Sequence, residues 1–182
     1  MSKVTIRHII NFIVFISLQV LIFNNIFFMG YINPYVYLMF LFLLPISKKN
    51  QNLLLLIAFL TGIVMDAFQN SMGLHTFACV LVMYLKSPIL LSLIPQLKNK
   101  TQNNIVFSIN EFGLATTIIY TSILVFIHHF ALFFIEAFQF DLGNILLRTI
   151  ASGIVTSILL IIFQFFNARN SLKWESLRID PI

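Results

Sequence analysis

Four ionisable side chains lie within or at the edge of long apolar runs: Asp66, Lys86, Glu111 and Arg148. A charge at membrane depth is costly, so each is a candidate for function. The other chemistry-bearing residues are few. His128 and His129 are adjacent, so on a helix they point about 100° apart and cannot jointly clamp one metal. With Glu136 they are expected to line an outer surface. Cys79 is the single cysteine and sits in an apolar run with no adjacent base, which reads as an inert packing residue. There is no HExxH, CxxC or paired-carboxylate spacing, no Walker motif and no GxGxxG. The expectation is a protein that is not an enzyme and uses neither cofactor nor metal.

The composition says what must position these groups. Of 182 residues, 59% are hydrophobic and 9% charged. Soluble domains are roughly 45–50% apolar and about 25% charged. The mean hydropathy is +0.96. A soluble fold of this size cannot hide so much apolar surface, disorder requires the opposite composition, and one cysteine excludes a disulfide framework. An all-α polytopic membrane protein remains, one integral domain over residues 1–182.

Six spans are predicted. The first, about 9–31, is longer than a signal-peptide core and has no A-x-A site after it, so it reads as uncleaved. Asn11, Gln19, Asn24 and Asn25 interrupt it, so one face is expected to pack on protein. The second, about 35–47, follows the turn Tyr31-Ile32-Asn33-Pro34 and is short, about 20 Å as a helix. The third and fourth, about 53–68 and 73–94, are joined by a brief connection, and Pro88 is expected to break the fourth. The fifth and sixth cover about 112–135 and 142–166, and a polar tail occupies 167–182.

An even number of spans puts both termini on one side. Lys3, Arg7, Lys48, Lys49, Lys98, Lys100, Arg169, Lys173 and Arg178 all fall there, and the three opposite loops hold no Lys or Arg. By the positive-inside rule that side is cytoplasmic. The net charge of +5 thus reports orientation and implies no nucleic-acid partner.

Depth predicts pairings. Asp66 lies thirteen residues after Leu53, and Arg148 six after Leu142, which puts both about 10 Å below the outer face. They are expected to form an ion pair or network, either functional or simply locking helix registry. Lys86, free to snorkel, and Glu111 sit near the cytoplasmic interface, as a pair or as two independent charges. Gly62 shares a helix face with Asp66, and Ala151, Ser152, Gly153 and Ser157 give the last span a face suited to tight crossing.

The stretch LTGIVMDAFQNSMGLHTFACVLVMYL, residues 60–85, resembles the core motif of the MreD family of bacterial rod-shape-determining proteins. Gly62, Asp66, Gly73, Leu74, Tyr84 and Leu85 carry the likeness. Chain length, six spans, cytoplasmic termini and the prolines of the second segment (Pro34, Pro45) agree with it. The resemblance implies a non-catalytic scaffold in the bacterial cytoplasmic membrane. It would bind an MreC-like bitopic protein and help couple MreB filaments to peptidoglycan synthases. It also implies a fold similar to the S components of energy-coupling-factor transporters, with Asp66, His75 and Arg148 lining an outer pocket or shaping a surface for the partner. The competing reading is a vitamin-type S component itself. Against it, the first span lacks the alanine-spaced docking face of that class and contains no alanine at all.

Overall fold

The computed structural model describes residues 3–25, 32–47, 49–99, 105, 108–137 and 141–176. Side chains in the last helix are described as far as residue 166. The described chain is helical and has no strand, only one antiparallel bridge between Ile46 and Ile105. Five helices are long and apolar enough to cross a membrane: Thr5–Asn25, Gln51–Gln69, Leu74–Leu93, Leu114–Glu136 and Leu142–Phe166. Tyr31, the loop residues 138–140 and the basic residues Lys48, Lys100 and Arg178 lie outside the described residues.

The helices are α1 (Lys3–Leu21), α2 (Leu38–Leu43), α3 (Gln51–Gln69), α4 (Leu74–Leu93), α5 (Ile109–Phe112), α6 (Leu114–Glu136) and α7 (Leu142–Ser176). In a row, α3 packs on α4, α4 on α6, and α6 on α7. The α1 helix packs on α2 and reaches α7 through the edge-to-face rings of Phe15 and Phe163. Outward faces are apolar, as in Ile13, Leu56, Ile119, Leu147 and Ile150. This is the surface a lipid solvent requires and a water-facing protein avoids.

The second segment departs from expectation. Only Leu38–Leu43 is helical, and it is not one of the five long helices. Every residue from Tyr35 to Phe42 is buried, on all sides of the chain. The uniform apolarity that reads as a short span here belongs to a segment enclosed by other helices, and periodicity alone does not say what such a run touches. Pro88 does not break α4, which runs through it to Leu93. The proline lies on the exposed side, so no neighbour is displaced by its ring. The last helix continues past residue 166 to Ser176.

Close approach is set by two glycines. A Cβ on Gly62 would stand 2.3 Å from Thr76 Cα, so only glycine lets α3 touch α4 here. A Cβ on Gly153 of α7 would meet the Phe126 ring of α6 at 2.8 Å.

Candidate functional site: the polar interior

Outside a helix, a chain in the bilayer interior must find partners for its own N–H and C=O groups. Residues 33–47 have only one and a half turns of helix to supply them. The polar side chains of the interior supply the rest.

At one end the donors and acceptors come from α1, α6 and α7. Gln19 Oε1 accepts from the backbone N–H of Val36 (2.7 Å) and Tyr37 (3.3 Å), and its Nε2 donates to the carbonyl of Pro34 at 3.1 Å. The N–H of Asn33 donates to Ser152 Oγ at 3.0 Å, and that of Tyr35 to Thr156 Oγ1 at 3.2 Å. Thr156 is in turn 3.2 Å from His129 Nε2, whose Nδ1 meets the Val125 carbonyl. At the other end Lys86 of α4 donates to the carbonyls of Leu41 (2.7 Å), Phe42 (3.3 Å) and Leu44 (2.5 Å). An ammonium has three protons. Here each meets a carbonyl near the C-terminus of α2, where a cation is also favoured by the helix dipole. Lys86 is 2% exposed and does not snorkel.

Between these ends lies a hydrogen-bond chain. Tyr37 Oη is 2.9 Å from His75 Nδ1 and 2.8 Å from His128 Nε2, with Cys79 Sγ at 3.7 Å. His75 Nε2 meets Gln69 Oε1 at 2.9 Å. Gln69 Nε2 and Gln19 Nε2 both donate to Asn24 Oδ1, at 3.1 and 2.9 Å. The backbone fixes every role along this path. Val36 and Tyr37 can only donate, so Gln19 Oε1 accepts and its Nε2 donates to Asn24 Oδ1. Asn24 Oδ1 then accepts from Gln69 Nε2, which leaves Gln69 Oε1 to accept from His75 Nε2–H. His75 Nδ1 therefore accepts the Tyr37 hydroxyl proton, and Tyr37 oxygen accepts from His128 Nε2–H. His128 Nδ1, buried without a partner, is left as a lone pair and not as an orphaned N–H. The Gln19–Asn24 end of the chain opens on a cavity of about 280 Å³ lined by Gln19, Asn24, Asn33, Tyr35 and Gln69 among others.

The second polar centre joins α3 to α4. Asp66 Oδ1 accepts from Ser71 Oγ (2.6 Å) and the His75 N–H (2.9 Å). Its Oδ2 accepts from the Thr76 N–H (3.0 Å) and Thr76 Oγ1 (2.6 Å). The carboxylate thus caps the first turn of α4 from a neighbouring helix, and the positive end of α4 offsets its charge. Gly73, at φ +84°, makes the turn that aims these N–H groups.

The sequence-predicted residues can now be placed. Asp66 and His75 are together. Arg148 is not with them: it pairs with Glu136 at 3.1 Å and its guanidinium lies 4.3 Å from the centre of the Phe133 ring. Equal depth did not decide the pairing because azimuth differs: α3 turns Asp66 toward α4, and α7 turns Arg148 toward α6. Lys86 and Glu111 also do not pair, since Lys86 faces the buried segment and Glu111 is exposed, its backbone N–H capped by Ser108. His128 and His129 are buried, not on an outer surface. Comparison with protein-family models, curated proteins and solved structures finds no match. The residues missed beforehand are Ser152 and Thr156 as acceptors of backbone N–H groups, and Tyr37 and Gln69 as links between buried side chains. Among the amides of the network, Gln19 and Asn24 carried a signal, interrupting an apolar span.

Proposed function

We propose that this chain is a non-catalytic membrane scaffold of the bacterial cell-elongation machinery, resembling the MreD family. It binds an MreC-like bitopic protein and through it links MreB filaments to peptidoglycan synthesis. The observation that carries this reading is the state of Asp66, the acid of the motif that resembles the family. Both its oxygens are engaged by the turn and the start of α4, and Gly62 and Gly73 are the residues that permit that geometry. An acid so held shapes a hairpin and does no proton chemistry. The buried lysine and glutamine likewise hold backbone.

We read the chain as crossing the cytoplasmic membrane six times, with residues 33–47 as the second crossing. The segment starts beside Gln19 of α1 and ends, at Leu44 and Pro45, in a cavity shared with His8. That is eleven residues along α1, about 16 Å. With this crossing both termini share the face that carries most of the lysines and arginines, the cytoplasmic one.

The test is purification of the tagged chain from a rod-shaped bacterium. Retention of an MreC-like single-span protein supports the scaffold. The second reading, a vitamin-type S component, draws on the polar 280 Å³ cavity. A bound small molecule together with an ATPase module in place of that partner would establish it and sink the scaffold.

A further inference from the structure

The α1 helix leans on α2 and α7 and leaves one side of α3 uncovered. Between them an apolar groove of about 570 Å³ opens toward the lipid. Ile9 and Phe12 form one wall, Leu54, Ile57 and Leu60 the other, and Phe40 and Leu44 of the buried segment the floor. The deepest polar residue, Thr61, turns its hydroxyl onto the Ile57 carbonyl, so that end is apolar. The other end is polar: Thr5, His8 and Asn50 line it, where α1 and α3 both begin. His8 Nδ1 is buried there without a hydrogen-bond partner.

The chain segments that supply the mouth carry basic residues and no acidic one. Residues 1–65 include Lys3, Arg7, Lys48 and Lys49 and no acidic residue. Arg7 and Lys49, both exposed, each neighbour a residue of the mouth. Behind the floor stands Lys86, bonded to the carbonyl of Leu44 and paired with no carboxylate among the described residues. Length and volume restrict the occupant. The walls extend about 12 Å, from Leu53 to Thr61. The volume lies within the ~300–1,000 Å³ of ordinary ligand pockets.

The geometry points to a binding site for one anionic phospholipid, its hydrocarbon in the α1–α3 groove and its phosphate at the Thr5–His8–Asn50 mouth. The basic residues select the head group and the groove holds the tail. This site does not depend on the scaffold reading, which concerns a protein partner.

The test uses the full chain in nanodiscs containing phosphatidylglycerol and phosphatidylethanolamine of identical chains, with retained lipid read by native mass spectrometry. The wild type should retain phosphatidylglycerol about tenfold over the zwitterion, as expected of two nearby basic residues. Ile57→Trp, which fills the groove, should lose the retained lipid, and Ile119→Trp on the far side of the bundle should keep it. Should Ile57→Trp fail to fold, the pair Arg7→Gln and Lys49→Gln decides: head-group preference falls to near parity. Equal retention of the two lipids by the wild type overturns the site. So does unchanged retention in folded Ile57→Trp or unchanged preference in the double variant. A single-span protein displaced by Ile57→Trp with lipid unaffected would show a protein groove instead.

Discussion

Gly62 of α3 lies directly beneath the backbone of Thr76 of α4, with no room for even a methyl group between them. This contact brings Asp66 within reach of the α4 N-terminus. The two features of the motif are therefore one device. Gly62→Ala should separate the helices and detach the cap. A loss of about 2–4 kcal/mol is expected, combining overpacking with a weakened cap, and thermal unfolding in detergent measures it. A change under 0.5 kcal/mol would show that α3 and α4 need not touch.

Asp66 and Arg148 should behave independently. In a double-mutant cycle with Asp66→Asn and Arg148→Gln the effects should add to within about 0.5 kcal/mol. Arg148 and Glu136 should instead couple weakly, by less than about 1 kcal/mol, because their side chains are 26% and 42% exposed. Measurable coupling of Asp66 to Arg148 would require an arrangement other than the one described.

Lys86→Met preserves length and removes three donors. Three buried carbonyls then lose their partner, and removing even one such bond costs about 1–3 kcal/mol. The destabilisation should reach at least that range, with protease sensitivity appearing in residues 41–47. Lys86→Met that is as stable as wild type would mean another group caps α2.

Much of this was legible in the chain. The long helices α1, α3, α4, α6 and α7 announce themselves by length and apolarity, and Gly62 with Asp66 by their four-residue spacing on one helix face. The enclosed segment was not, because Tyr35–Phe42 is as apolar as a lipid-facing span and only the surrounding helices decide what it touches. Pairings of charges failed for a related reason. Rise per residue fixes depth, but which neighbour a side chain faces is a tertiary property. Lys86 shows a further limit: its partners are main-chain carbonyls, which carry no sequence signature.

Tyr37 links His75 to His128 through one hydroxyl. Tyr37→Phe leaves the ring packing and orphans a nitrogen on each histidine. About 1–3 kcal/mol should be lost per orphaned buried group. The imidazole nitrogen signals of His75 and His128 should shift in NMR spectra, with that of His129 little changed. Unshifted signals at both would remove Tyr37 from the chain.

The hydroxyls that hold the buried segment come late in the polypeptide. Ser152 lies 119 residues after Asn33, and Thr156 lies 121 after Tyr35. At a synthesis rate of about 5–20 residues per second, the segment emerges roughly 6–24 s before they exist. Nascent chains that lack α7 must keep these N–H groups near water or the translocation channel, and residues 33–47 take their place only when the final helix arrives. Assembly of this protein therefore cannot proceed strictly in the order in which its helices are made.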